Sequence, residues 1–276
     1  MALTFPPGPL SREPGTTNYT VSGPAGRILL QPSAKRVRVV VASPDGPRTV
    51  VDTTRAVLLH ETGHLPRYYV PVDDVDDSVT RPSPTASRCP YKGEASYTSV
   101  EVGGRTVEDL FFRYPEPPEQ LAELAGLVGL YLEKLDEAAG DAVYEEEHAL
   151  LGHPHDPFHR VDALPSSRHV RVLWERDGAE EPVVLAETTS PVGVFETSLP
   201  PRWYVPAADV RTELLRDSAT TTVCPYKGVA TYRSLVDGPA DVAWAYDEPL
   251  PEALPLPGHL CFMGEGIVTE VDGQRV

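Results

Sequence analysis

The sequence predicts a mainly β protein that contains two homologous, small antiparallel barrels or sandwiches in one chain. Three observations carry this prediction. The pentapeptide CPYKG occurs twice, at 89–93 and at 224–228. Short β-branched runs alternate with turn-forming residues along most of the chain, as in small all-β domains. The 30 prolines and 21 glycines argue against a helical bundle.

The repeat extends well beyond the pentapeptide. ETGHLPRYYVPVDDV at 61–75 aligns with ETSLPPRWYVPAADV at 196–210, with nine of 15 positions identical at an offset of 135. CPYKGEASYTSV aligns with CPYKGVATYRSL with eight of 12 identical. Further on, FFRYPEP at 111–117 aligns with AWAYDEP at 243–249 at an offset of 132. The three lost residues fall at a predicted turn, where a deletion is best tolerated. The chain is therefore a tandem duplication.

The duplication sets the predicted domain boundaries. Residues 1–33, rich in Pro, Gly, Ser and Thr, form an N-terminal extension whose GRILLQP segment is apolar enough to pack on a domain. The first repeat domain covers 34–148 and the second covers 167–276. The proline-rich stretch at 149–166 is the predicted linker.

Each repeat begins with a predicted hairpin. The β-branched runs VRVVVA (37–42) and HVRVLWE (169–175) end in the turn segments SPDGP and RDGAEEP. The segments TVVD and PVVLAE supply the returning strands. Next come the aromatic strands YYVP and WYVP, each ended by proline. Short strands of this kind predict one small antiparallel barrel per repeat, and we expect the two barrels to pack about a pseudo-twofold axis.

The remaining elements are further strands and a few short helices. DDVDDSV and ADVRTELLRD predict a short helix in each repeat, with Asp209 as the N-cap of the second. ASYTSVEV and ATYRSLV alternate as half-buried strands, followed by TVEDLFFRY and ADVAWAY. One helical turn in PPEQLAELAG precedes a strand in LVGLYL.

Composition and charge exclude several classes of function. With 41 acidic and 24 basic residues the net charge is −17, which repels nucleic acid and anionic lipid. No apolar run reaches the roughly 18 residues of a membrane span, and the N-terminus does not resemble a signal peptide. We therefore expect a cytoplasmic protein with no nucleic-acid or membrane partner. A monomer is compatible with two repeats that can pack on each other.

The three cysteines argue against both a disulfide scaffold and a zinc ribbon. An odd, small number of cysteines in a cytoplasmic chain does not form a disulfide framework. No Cys-x-x-Cys pair occurs in the sequence. We expect no bound metal and no cofactor.

The order of these motifs resembles a known family. The pattern E-T-x…(W/Y)-Y-x-P-x-x-D-V…C-P-Y-K-G-x-A-x-Y, followed by an aromatic-x-Y-x-x-P, is similar to the domain of unknown function 427, and both repeats carry it. The resemblance implies a compact domain similar to the β-tent group. Many β-tent proteins hold zinc through two Cys-x-x-Cys pairs, and this sequence lacks them. The family has been labelled nucleotidyltransferase-like, but the chain has no Gly-Ser followed by Asp-x-Asp and no glycine-rich phosphate loop.

Three residue types recur together and are the candidate catalytic set: Cys89, Lys92 and Glu61 in the first repeat, and Cys224, Lys227 and Glu196 in the second. A lysine three residues after a cysteine on a tight turn can stabilise a reactive thiolate. The other interpretation is a small buried thiol at a structural turn, with the lysine reaching solvent or pairing with an acid. Each glutamate ends an apolar strand and is either solvated there or partly buried. A Glu–Lys pair facing one cavity explains why both repeats keep both residues.

Aromatic and polar side chains near these residues are the candidate substrate-binding set. They are either barrel core or the walls of a cup for a planar or cationic small molecule. Arg67 and Arg202 offer a carboxylate clamp, and Arg55 with His60 makes the first repeat the better candidate for a single site. The set comprises Arg55, His60, Arg67, Tyr69, Tyr97, Arg202, Trp203, Tyr204, Tyr232, Trp244 and Tyr246.

The predicted linker contains a cluster of histidines. His148, His153, His155 and His159, with Asp156, have spacings that can hold a metal. Pro154 and Pro157 stiffen the segment, which favours a structural role.

Two functions remain open from the sequence. One is the binding or processing of a small organic metabolite in an aromatic-lined pocket with Glu, Cys and Lys. The other is a non-catalytic ligand- or protein-binding module in which the CPYKG turn is structural.

Overall fold

The structure, a computed structural model, describes residues 28–176, 178 and 180–276. The chain divides into two compact units, Met1–Asp156 and Pro157–Val276. Within the described residues, no helix is long and apolar enough to cross a membrane. Most of the predicted N-terminal extension lies outside the described residues.

The described part of the first unit forms two antiparallel sheets. The larger sheet has seven strands in the order β1-β4-β5-β9-β8-β7-β6, and the smaller has four in the order β11-β10-β2-β3. The strands are β1 (Ile28–Pro32), β2 (Val37–Val41), β3 (Arg48–Thr53), β4 (Val57–Glu61), β5 (Arg67–Pro71), β6 (Thr80–Cys89), β7 (Gly93–Val102), β8 (Arg105–Arg113), β9 (Leu127–Leu130), β10 (Ala142–Glu145) and β11 (His148–Ala149).

The second unit repeats this topology. Its seven-stranded sheet has the order β12-β15-β16-β20-β19-β18-β17, and its four-stranded sheet has the order β14-β13-β21-β22. The strands are β12 (Val161–Pro165), β13 (Val170–Trp174), β14 (Val183–Thr188), β15 (Val192–Glu196), β16 (Arg202–Pro206), β17 (Leu215–Cys224), β18 (Gly228–Leu235), β19 (Ala243–Ala245), β20 (His259–Phe262), β21 (Ile267–Val271) and β22 (Gln274–Arg275). The predicted mainly β, duplicated fold is confirmed, as a pair of sheets in each unit.

Alternation along the strands builds the core. Val37, Val39 and Val41 are buried while the residues between them are half-buried, as expected for one face of a strand. These valines pack with side chains from the larger sheet, such as Tyr68 and Val70. A second apolar cluster lies on the opposite face of the larger sheet in each unit. This second face positions the candidate site.

The predicted short helices are short 3₁₀ segments. In the segments after β5 and β16, Val75 and Val210 take extended conformations and bridge Val51 and Ala186, which interrupts a longer helix. Asp209 is not an N-cap, because it is the last residue of the first segment after β16, and Arg211 is the N-cap of the next segment. The Asp209 carboxylate accepts a hydrogen bond from the Thr188 hydroxyl at 2.6 Å. The segments are Val72–Asp74, Asp77–Val79, Glu119–Gly126, Leu132–Lys134, Glu137–Ala139, Ala207–Asp209, Thr212–Leu214 and Pro251–Ala253.

Two predicted boundaries differ from those of the structure. Residues 28–32, assigned to the extension, form β1 and pair with β4 of the first unit. Residues 161–165, assigned to the linker, form β12 and pair with β15 of the second unit. The division between the units falls after Asp156, inside the predicted linker. Both strands are short edge strands whose pairing is with sequence-distant partners, which local sequence signals do not show.

Candidate functional site

The CPYKG pentapeptide is the closed end of a β-hairpin in each unit. Cys89 pairs with Gly93 across the end of β6 and β7, and Cys224 pairs with Gly228 across β17 and β18. The glycines have φ of +96° and +102°, a conformation that side chains disfavour. A three-residue loop closed by a glycine with positive φ is a common hairpin connection. The pentapeptide therefore has a clear structural role in both units.

The lysine of each turn forms an ion pair with the glutamate predicted to accompany it. Lys92 pairs with Glu61, the last residue of β4, and Lys227 pairs with Glu196, the last residue of β15. All four side chains are largely buried, between 8% and 13% exposed. Because a buried ion pair loses much of its hydration energy, it is weak evidence for stability alone.

These ion pairs show that the larger sheet curves strongly. Four strand intervals separate β4 from β7 in the sheet order. In a flat sheet this corresponds to about 19 Å, farther than a lysine and a glutamate side chain can reach together. The sheet therefore bends so that the CPYKG turn approaches the end of β4, and the Glu–Lys pair lies where the two parts of the sheet meet. The second unit has the same strand order and the same pair.

The concave side of this bend carries an aromatic cluster in the first unit. The stack of Tyr97 on Tyr131 has ring centroids 6.1 Å apart and an interplanar angle of 4°. The Lys92 ammonium lies 5.6 Å from the centre of the Tyr114 ring. Tyr97 and Tyr131 remain partly exposed, whereas burial raises the pKa of Tyr114 and keeps its hydroxyl neutral. The cluster also contains Leu59, Tyr69, Ala95, Phe112 and Leu124, with Cys89 at its margin.

The second unit carries the matching cluster. The Trp244 indole N–H donates to the Tyr204 hydroxyl at 2.9 Å, and Tyr232 lies 6.3 Å from Trp244 between ring centroids. Tyr246 is buried in the same cluster, with Cys224 partly buried beside it. Burial raises the pKa of Tyr204 and of Tyr246. The structure thus brings together most of the predicted aromatic set, unit by unit.

His159 is a member of the second site that the sequence analysis assigned to the linker. Its Nε2 lies 3.0 Å from Glu196 Oε1, and its ring lies 4.2 Å from the ring of Tyr226. Among the described residues its buried Nδ1 has no hydrogen-bond partner. Burial by itself raises the pKa of Glu196, but the hydrogen bond from His159 and the charge of Lys227 lower it overall. The signal that was missed is the alternating segment after His159, which forms β12 and pairs with β15.

Among the described residues, no hydrogen bond between lysine and cysteine supports the predicted activation of the thiolate. Each lysine ammonium is engaged by its glutamate, and in the described part of the chain neither lysine hydrogen-bonds the thiol of its own turn. The cysteines are free thiols. A nucleophilic role for Cys89 or Cys224 stays a prediction.

Several predicted site residues lie elsewhere. Arg55 forms an exposed ion pair with Asp74. His60 Nε2 contacts Gln31 Oε1 at 3.0 Å, and burial lowers its pKa. Because side chains alternate along a strand, His60 points away from the face that carries Glu61. The predicted preference for the first unit on the basis of Arg55 and His60 therefore has no support from their positions.

The two candidate clamp arginines differ. Arg67 donates two hydrogen bonds to the Glu133 carboxylate at 3.0 Å each and one to the Leu130 carbonyl at 2.9 Å. Its guanidinium also lies 4.7 Å from the centre of the Tyr131 ring. The Arg202 side chain makes no ion pair or hydrogen bond within the described residues, and it lines a cavity together with Trp203.

A buried carboxylate in the first unit was not among the predicted site residues. Glu145 accepts a hydrogen bond from the Tyr68 hydroxyl at 2.7 Å, pairs with Lys35 and lies 3.5 Å from His155 Nδ1. Burial by itself raises its pKa, but these contacts outweigh burial and lower the pKa to about 2. In the sequence this residue belongs to the acidic run YEEEH at 144–148, which reads as a solvated face.

The predicted linker histidines do not gather into a metal site. His155 lies beside Glu145 in the first unit, and His159 lies beside Glu196 in the second. Over the described ranges, no group of three or more His, Cys, Asp or Glu side chains is arranged to hold a metal ion.

Comparison with known protein families agrees with this duplicated geometry. The model of the domain of unknown function DUF427 matches residues 29–141 and again residues 162–275. The chain belongs to the DUF427 family. It carries two copies of the DUF427 domain, and each copy contains one hairpin with CPYKG and one Glu–Lys pair. Both matches begin within or beside the edge strands β1 and β12, which supports including these strands in the domains. No curated protein matches the chain.

Proposed function

We propose that this protein binds a small organic molecule on the concave aromatic face of each DUF427 unit, beside the Glu–Lys pair. The observation that carries the proposal is the combination of partly exposed rings with a buried ion pair on one face. Tyr97 and Tyr131 in the first unit, and Tyr232 and Trp244 in the second, are partly exposed there. Planar or cationic molecules bind well to such rings.

The ion pairs favour binding over covalent catalysis. A lysine held by a glutamate is not available as a nucleophile or as a base while the pair persists. The pair presents a fixed dipole at the margin of the aromatic face, which can orient a polar group of a ligand. In the second unit His159 extends this polar margin through its contact with Glu196.

The test is capture of small molecules by purified protein. Immobilised wild type is incubated with a cell extract restricted to compounds below about 1 kDa, washed, and eluted for mass spectrometry. The double variant Tyr97→Ala/Tyr232→Ala removes a partly exposed ring from each face. The matched control is Tyr91→Ala, because Tyr91 is 45% exposed and lies outside the aromatic cluster. A compound retained by wild type and by the control, but not by the double variant, supports the proposal. Equal retention by all three proteins contradicts it.

A second candidate function is supported by the geometry of the turn. Lys92 is only 6% exposed, and its ion pair holds the CPYKG hairpin against the end of β4. In this alternative the duplicated motif is structural and the units bind a ligand or protein elsewhere, without catalysis. Absence of any compound that depends on Tyr97 and Tyr232 favours this alternative.

We also propose a cytoplasmic location and no nucleic-acid partner. The net charge of −17 supports both parts of this proposal, and three free thiols fit a reducing compartment. A monomer is the simplest state for a chain that carries both units. Light scattering coupled to size-exclusion chromatography, and fractionation of producing cells, test these statements.

A further inference from the structure

A cavity in the second unit differs from the aromatic face in position and chemistry. It has a volume of about 250 Å³ and lies at the start of β16. We call it the Arg202 cavity. Its lining includes Arg168, Phe195, Arg202, Trp203, Cys261 and Phe262. Glu196, Lys227 and Cys224 are not part of this lining, and Cys261 is a buried residue that also belongs to the aromatic cluster of this unit.

Arg202 is the distinctive residue of this cavity. The residue is partly buried, and within the described residues its side chain has neither an ion pair nor a hydrogen bond. The equivalent Arg67 of the first unit is held by Glu133, by the Leu130 carbonyl and by the Tyr131 ring. After the duplication, Arg67 therefore has polar partners for its guanidinium, whereas Arg202 has none among the described residues. Removing a guanidinium from water without a partner is unfavourable, so an anionic group that enters the cavity gains a ready partner.

The rest of the lining adds to this preference. No Asp or Glu side chain is among the described residues that line the cavity. Arg168 pairs with Asp272 at 2.6 Å and covers the Trp203 ring at 5.1 Å. Cys261 adds no negative charge, because burial raises the pKa of its thiol to about 12. The lining therefore presents the guanidinium of Arg202 beside aromatic rings, and Val276 at the end of the sequence also contributes to it.

We propose that the Arg202 cavity binds a small organic carboxylate that carries one ring. The carboxylate lies on the Arg202 guanidinium, whose paired N–H groups match its two oxygens. The ring lies against Phe195 and Trp203, which contact each other edge to face with centroids 6.0 Å apart. A cavity of about 150 Å³ accommodates benzene, and drug-sized ligands occupy about 300 Å³ or more. The volume here therefore fits a single-ring acid.

Calorimetric titration of the full chain with phenylacetate tests the proposal, with phenylacetamide as the uncharged analogue of the same shape. We expect the carboxylate to bind at least tenfold more tightly than the amide. Arg202→Met is expected to weaken phenylacetate binding at least tenfold. Arg67→Met is the matched control in the first unit and is expected to leave the affinity unchanged.

The comparison of acid with amide uses only wild-type protein, so it does not depend on the folding of a variant. Circular dichroism of Arg202→Met establishes that the second unit remains folded. The proposal is overturned if phenylacetate does not bind at a concentration about tenfold above a millimolar dissociation constant. It is equally overturned if acid and amide bind alike, or if Arg67→Met weakens binding as much as Arg202→Met does.

Discussion

The substitution Lys227→Met tests how much the buried ion pair contributes to the second unit. Methionine keeps most of the length of the lysine stem and removes the charge. Lys227 and Glu196 are each only 10% exposed at the side chain, so the change leaves a buried carboxylate without its main cation. Breaking one partner of a buried pair costs about 3–5 kcal/mol. Because His159 still contacts Glu196 at 3.0 Å, we expect the lower end, about 3 kcal/mol.

The position of the tryptophans makes this loss measurable in one unit. Trp174, Trp203 and Trp244 all lie in the second unit, so tryptophan fluorescence follows the unfolding of that unit in urea or on heating. A loss of about 3 kcal/mol corresponds to a fall in the unfolding midpoint of about 10 °C for a unit of this size.

Two further variants complete the experiment. Arg211→Met breaks an exposed pair with Glu213, in which both side chains are more than half exposed, and little or no change in the midpoint is expected. Glu196→Gln combined with Lys227→Met removes both charges and is expected to recover most of the loss, since the unpaired carboxylate is gone. If Lys227→Met unfolds at the same temperature as Arg211→Met, the reasoning about the buried pair is refuted.

The remaining predictions concern the turn, an acidic group and a thiol. Gly228→Ala is expected to destabilise the second unit by about 2 kcal/mol, because φ is +102° and a Cβ would lie 3.2 Å from the Glu248 carbonyl oxygen. Gly258→Ala is the control, since φ is +76° there and the space around a Cβ is open. It is expected to cost less in the same urea titration, and a larger cost at Gly258 contradicts this prediction. The contacts of Glu145 lower its pKa from 4.5 to about 2. Its contribution to stability is therefore present above about pH 4.5 and is lost as the pH falls towards 2. The difference in unfolding free energy between wild type and Glu145→Gln should shrink over this pH range, and a constant difference contradicts the prediction. Cys261 is 2% exposed, and burial raises its pKa to about 12. We expect it to resist iodoacetamide at pH 8 in the folded protein, whereas the two partly exposed CPYKG cysteines are expected to react. Peptide mass spectrometry measures alkylation at each cysteine, and alkylation of Cys261 before either of the others contradicts the prediction.

The pairing of Glu61 with Lys92 could be anticipated from the sequence, because both repeats keep both residues. That the pair faces a cavity stays a prediction. The pair lies at the meeting point of a curved sheet, and the lining of the Arg202 cavity does not include the equivalent residues of the second unit. Curvature results from the combined twist and packing of seven strands, which no local segment encodes.

His159 shows a similar limit. The residue lies in a proline-rich stretch that reads as a linker, yet its strand neighbour Val161 pairs with Glu196. That pairing brings an imidazole to a carboxylate 37 residues away. Edge-strand pairing depends on a partner that is distant in sequence, so a local segment does not show which strand it will join.

By itself the sequence determined the features that depend on local chemistry and on repetition. The offset of 135 determined the duplication, alternating valines determined strands such as β2 and β13, and the glycines of CPYKG determined a tight turn. Only the tertiary structure decided which charges are neutralised and which are free. Arg67 and Arg202 occupy equivalent positions, but within the described ranges only Arg67 pairs with an acidic side chain, that of Glu133. The physical reason is that ion pairing depends on distances of a few ångströms between residues far apart in the chain, and the folded sheet sets those distances.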